Sequence, residues 1–142
     1  MTCTEKFALW VVNEKGRLDV TALEPYLFWA MIEEMNQKEF LSITDEGKIC
    51  LKEGIPEVSY YRFLNEMILN IKDKSLTFKG VLNAILNSPQ RRKKLMVALK
   101  EELIQKSYLK VTKKKGIFGE RECWVVDKDV ELTTFLKEED VL

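Results

Sequence analysis

Histidine is absent from this chain, and with it goes the side chain that most often acts as general base or metal ligand near neutral pH. Cysteine is scarce. Cys3, Cys50 and Cys123 form an odd set with no close pair, which argues against a disulfide framework and a cysteine-built zinc site and predicts reduced thiols. There is no glycine-rich phosphate loop, no Gly-x-Ser-x-Gly, and no carboxylate pair at a metal-ligand spacing. The acids Glu33-Glu34, Glu101-Glu102 and Glu138-Glu139 are adjacent pairs, and helical neighbours point about 100° apart and do not converge on one atom. No apolar run approaches the roughly 20 residues that span a bilayer, and Met1 to Lys6 lacks the layout of a signal peptide. These absences predict a cytoplasmic, non-enzymatic protein with no catalytic residues, no metal and no cofactor.

Hydrophobic residues make up 46 % of the 142 positions, enough for one domain over residues 1–142 with a real core. No low-complexity linker marks a boundary. The 23 basic and 23 acidic residues cancel, yet they are unevenly placed. Between Arg91 and Lys115 lie ten Lys or Arg against Glu101 and Glu102, a net of +8, while Asp127 to Leu142 carries −4. A local basic face on a neutral chain calls for a local anionic partner.

The chain also repeats itself. Gln37-Lys38-Glu39-Phe40-Leu41-Ser42-Ile43-Thr44 returns 68 residues later as Gln105-Lys106-Ser107-Tyr108-Leu109-Lys110-Val111-Thr112, identical at four positions. In each copy a helix-period run leads in, the apolar residues then alternate, and Gly47 or Gly116 supplies a turn. A short hairpin does not bury both faces alone, so each copy reads as a helix feeding a hairpin that packs on helices.

Around this unit, Thr2 to Glu5 has the form of a capping box for a first helix buried almost all round and ending between Asn13 and Gly16. Leu18 and Val20 suggest a short extended bridge, and Thr21 to Glu24 a second capping box with Pro25 in the first turn. Leu27, Phe28, Met31, Ile32 and Met35 form the inward line of the second helix. Hairpin one spans about Phe40–Thr44 and Lys48–Lys52. A third helix covers Ser59 to Ile71 with Tyr61, Phe63, Leu64, Met67, Ile68 and Ile71 inward, and Ser75 or Thr77 caps a fourth that stops at Asn87-Ser88-Pro89. A fifth helix runs from about Gln90 to Lys106 on Leu95, Ala98, Leu99 and Leu103, and hairpin two pairs Tyr108–Thr112 with Glu122–Val126. Asp127 is placed to cap a last helix over Val130 to Leu136. Cys50 and Cys123, beside Leu51 and Trp124 on the return strands, are expected to be buried, and Trp10, Trp29 and Trp124 to belong to the core.

Two clusters stand out as candidate binding residues. Lys113-Lys114-Lys115 precedes Gly116-Ile117-Phe118-Gly119, an apolar dipeptide at a hairpin tip. If Ile117 and Phe118 are covered by a neighbouring loop they are structural; if exposed, they suit a membrane interface with the lysines on anionic headgroups. Arg91-Arg92-Lys93-Lys94 opens the fifth helix, where the macrodipole is already positive and a nearby anion would relieve the site; a merely solvated helix start is the alternative.

The order of these pieces resembles the Golgi phosphoprotein 3 (GPP34) family. The resemblance lies in Glu5-Lys6-Phe7-Ala8-Leu9-Trp10-Val11-Val12 followed by Lys15-Gly16-Arg17-Leu18, in the second helix running into Lys38-Glu39-Phe40, and in Leu103-Ile104-Gln105-Lys106-Ser107-Tyr108-Leu109 before a hairpin. It implies a mostly helical, non-catalytic, membrane-associated protein whose hydrophobic hairpin, here Lys113 to Val126 tipped by Ile117 and Phe118, enters the bilayer. Eukaryotic members read a phosphoinositide headgroup with a Trp and several Arg. The matching positions here hold Leu27, Met96 and Ala98, and no Trp falls near Leu18.

The expectation is therefore a mostly α single domain with two β-hairpins (α+β), GPP34-like or winged-helix-like, that binds anionic membrane surfaces or lipid headgroups peripherally. Alternatives are a winged-helix nucleic-acid binder of the transcription-regulator kind, since helix, strand, basic wing and return strand also build that module, and a protein-interaction adaptor. A homo-oligomer formed through a hairpin is a further partner of the same surface.

Overall fold

Thr2 and Glu5 close a reciprocal capping box: the Thr2 hydroxyl accepts from the Glu5 amide at 3.1 Å, and the Glu5 carboxylate accepts from the Thr2 amide at 3.0 Å. They start α1 (Cys3–Lys15), in which Thr4, Glu5, Ala8, Leu9, Val11 and Val12 are buried. The computed structural model describes residues 1–15, 24–54, 56–71, 76–117 and 119–127. In chain order there follow α2 (Glu24–Gln37), β1 (Leu41–Ile43), β2 (Ile49–Leu51), α3 (Ser59–Asn70), α4 (Phe78–Leu86), α5 (Pro89–Gln105), β3 (Leu109–Gly116) and β4 (Gly119–Val126). Among the described residues these are five helices and two antiparallel hairpins, the mixed α+β class that the sequence implies. The expected bridge at Leu18 and Val20, the Thr21 end of the second capping box, the Ser75 alternative and the last helix over Val130 to Leu136 lie outside the described residues.

The chain groups into two compact units, one over residues 22–99 and the other over residues 1–21 and 100–142. In the first, the α2 line Leu27, Phe28, Met31, Ile32 and Met35 is buried as its spacing requires. On α3 the buried set is Tyr60, Tyr61, Leu64, Met67 and Ile68, so Tyr60 takes the place expected for Phe63, which is only half-buried. Tyr60 and Tyr61 meet edge to face at 4.6 Å, and the Tyr61 hydroxyl donates to Glu34 at 2.6 Å. Burial, followed by the nearby Tyr60 and Glu34, pushes the Tyr61 hydroxyl far above its ordinary pKa. Thr77 caps α4 by accepting from the Gly80 amide at 3.0 Å. Pro89 begins α5 and so also serves as the stop of α4.

The repeat appears as one piece of backbone used twice. Glu39 (φ 64°) and Ser107 (φ 62°), equivalent positions of the two copies, are the left-handed residues that end α2 and α5. Around them the bonding is the same: the Glu39 amide to Asn36 at 3.1 Å and the Phe40 amide to Met35 at 2.9 Å, then the Ser107 amide to Ile104 and the Tyr108 amide to Leu103, both at 3.0 Å. This is a Schellman cap, and it turns each chain so that Leu41 and Leu109 enter the core.

Beyond that point the copies diverge. Hairpin one pairs three residues on each side, from Leu41 opposite Leu51 to Ile43 opposite Ile49. It is stitched to the start of α4 by the Ile49 amide to Leu76 at 2.7 Å and the Phe78 amide to Gly47 at 2.8 Å. Hairpin two pairs eight on each side, from Leu109 opposite Val126 to Gly116 opposite Gly119. It is therefore longer than the alternation predicts, and its positive φ falls on Gly119 (112°) and not on Gly116. Cys50 is exposed and Cys123 half-buried, contrary to the expectation for both. With Ile49 buried, the two-residue period of a strand turns Cys50 outward.

Candidate functional site

Because β3 and β4 are antiparallel and paired from Leu109 opposite Val126 to Gly116 opposite Gly119, their register assigns every paired side chain to a face. One face carries Leu109 opposite Val126, Val111 opposite Trp124, Lys113 opposite Glu122 and Lys115 opposite Glu120. The other carries Lys110 opposite Val125, Thr112 opposite Cys123 and Lys114 opposite Arg121. The three-lysine run is thus divided. Lys113 and Lys115 face carboxylates, whereas Lys114 faces a second cation and shares its side of the ribbon with Lys110. Like charges directly opposed destabilise a ladder, and every described residue from Thr112 to Glu122 is exposed. In the paired register no acid stands directly opposite Lys110, Lys114 or Arg121.

The compensated face is anchored. Lys100 on α5 contacts both carboxylate oxygens of Glu122 at 3.3 Å and lies 4.8 Å from the centre of the Trp124 ring, whose Nε1 donates to Glu122 at 2.9 Å. Hydrogen bonds from Lys100 and Trp124 hold the Glu122 carboxyl below its usual pKa. At the root of the same unit the wholly buried Glu5 meets Lys106 Nζ at 2.9 Å and 3.1 Å. Burial alone would lower the Lys106 ammonium, but the bond and charge of Glu5, with Glu102 and Tyr108, outweigh it and raise the pKa.

Ile117, at the tip, is 97 % exposed. Phe118, its expected companion, lies outside the described residues. Along β3 the rise of about 3.4 Å per residue puts Ile117 roughly 14 Å beyond Lys113.

Arg91 and Arg92 occupy a different setting in the unit of residues 22–99. The Arg91 guanidinium donates to the Ala84 carbonyl at 3.1 Å, Arg92 donates to the Leu86 carbonyl, and Arg92 pairs with Glu24 at 3.3 Å. Both thus serve the carbonyl end of α4, where a cation is favoured, while α5 begins. The relief expected from an outside anion comes instead from the protein's own carbonyls and Glu24, whose carboxyl burial raises and Arg92 partly lowers. Lys93 and Lys94 are exposed. The two basic clusters belong to different units. Trp29, expected in the core, is 46 % exposed beside Phe78, and Trp10 and Trp124 are half-buried.

Sequence reasoning missed Lys110 and Arg121 as members of the site. The signal was present: two glycines bracketing two residues fix the register, and the register sorts the charges. Among the described residues no group of three or more Cys, Asp or Glu is placed to hold a metal, and no helix is long and apolar enough to cross a membrane. No protein-family model matches the chain, and no curated protein matches it.

Proposed function

We propose that the protein is a non-enzymatic, peripheral binder of anionic membrane surfaces, in the manner the GPP34 resemblance implies, and that hairpin two is the contacting element. The observation that carries this reading is the exposed Ile117 at the end of a ribbon whose one face holds Lys110, Lys114 and Arg121 without an opposed acid. An apolar tip enters the headgroup region, and cations near an anionic surface contribute about 1 kcal/mol each at low salt. Lys113 and Lys115 add less, since Glu122 and Glu120 oppose them.

Vesicle co-sedimentation tests the proposal. Wild type should bind phosphatidylserine-containing vesicles and leave pure phosphatidylcholine in solution, and Ile117→Ser should weaken the binding several-fold with no change in thermal stability. Equal binding by wild type and Ile117→Ser, or preference for duplex DNA over vesicles with a salt slope set by Lys114 and Arg121, would assign the ribbon to another partner.

A further inference from the structure

At the root of hairpin two a groove of about 550 Å³ is lined by Ile104, Leu109, Lys110, Val111, Val125 and Asp127, among others. Two of its apolar side chains stand in water: Ile104 is 40 % and Val125 53 % exposed. Lys110 stands directly opposite Val125 on the cationic face, so a charge and an exposed apolar surface lie side by side. The groove is polar along its length. Asp127 sits at the root, where its amide bonds the Tyr108 carbonyl at 2.9 Å, while Lys110, and beyond it Lys114 and Arg121, lie towards the tip.

We infer that this groove binds one single-chain anionic amphiphile of the fatty-acid class, with its carboxylate towards Lys110 and its hydrocarbon chain over Val125 and Ile104. The size suits it, since small-molecule sites occupy roughly 300–1,000 Å³. The charge order sets the direction: a carboxylate is repelled at the Asp127 end and attracted at the Lys110 end. An apolar lining rewards length, by about three- to fourfold in affinity for each methylene removed from water. The site shares Lys110 with the vesicle reading but requires no bilayer and does not use Ile117.

Displacement of dansyl-labelled undecanoic acid by saturated fatty acids, from octanoic to stearic and below their aggregation concentrations, tests the inference. Affinity should climb with chain length and then level off where the groove is full. Ile104→Asp and Val125→Asp should each weaken binding at least about tenfold, with circular dichroism unchanged. Lys110→Gln should weaken the acids by about threefold and leave the matching alcohols unaffected. Absence of saturable binding, a rise with length that never levels off, or indifference to all three substitutions would overturn it. Concentration-dependent self-association abolished by Val125→Asp, without binding of the acid, would give the groove to a second copy of the chain. Ile117→Ser separates the two proposals: it should spare binding of the acid even where vesicle binding is lost.

Discussion

Neutralising Lys114 and Arg121 has a different expected outcome from neutralising Lys113 and Lys115, although both double substitutions remove two positive charges. In Lys114→Gln/Arg121→Gln both lost cations come from the unopposed face. At about 1 kcal/mol per cation near an anionic leaflet, vesicle affinity at low salt should fall by about 2 kcal/mol, roughly 30-fold. Lys113 and Lys115 are each opposed by an acid, Glu122 or Glu120, so their replacement should cost no more than about fivefold. Stability moves in opposite senses. Removing the Lys114–Arg121 opposition should stabilise the hairpin by about 0.2–1 kcal/mol, and removing the Lys113–Glu122 and Lys115–Glu120 pairs should destabilise it by a similar amount. For a chain of this size the melting temperatures should separate by a few degrees. Co-sedimentation across a salt series, with thermal melts of the same samples, reads both quantities. Equal losses of binding would show that net charge alone governs the contact and would refute the face argument.

Glu39→Gly and Ser107→Gly should each raise stability by up to about 1 kcal/mol in denaturant titration, because glycine takes the left-handed cap without the cost a side chain imposes. Leu41→Ala and Leu109→Ala should each lower it by about 2–5 kcal/mol, the toll of emptying a fully enclosed site. Native Cys50 should react rapidly with a thiol reagent, whereas slow labelling would contradict its exposure. As the pH rises from 10.5 towards the higher folded value the Lys106 contribution should fall away progressively, since a raised pKa stabilises fully only below the unfolded value and no longer above the folded one. Lys106→Met should remove that alkaline limb. Acid should release the Lys100–Glu122 clamp only below 4.5, as the pH falls through the lowered pKa of Glu122.

The helices were legible because burial follows the 3.6-residue period, as on α2 and along Leu95, Ala98, Leu99 and Leu103 of α5. The helix-to-hairpin unit was legible because the residues around its cap recur. The failures share a cause. Cys50 and Trp29 are apolar in type and sit among buried neighbours, but which side they face depends on register and rotation, and composition carries neither. Arg91 and Arg92 read as an open basic patch because the carbonyls they serve, on Ala84 and Leu86, belong to a different helix and have no side-chain signature. The charge sorting on hairpin two needed the pairing partner of each lysine, which follows only after the turn is placed between Gly116 and Gly119.

The shared cap separates what must be kept from what is open to change. Each hairpin enters the interior at a leucine, Leu41 or Leu109, immediately after an identical backbone turn. Outboard of it, one copy stops after three pairs and the other continues for eight. The outer rungs of hairpin two are therefore interchangeable parts. Beyond the Lys100–Glu122 contact they should accept lengthening, shortening or recharging two residues at a time, and a graft of Thr112 to Cys123 onto hairpin one would carry its surface chemistry to a new position.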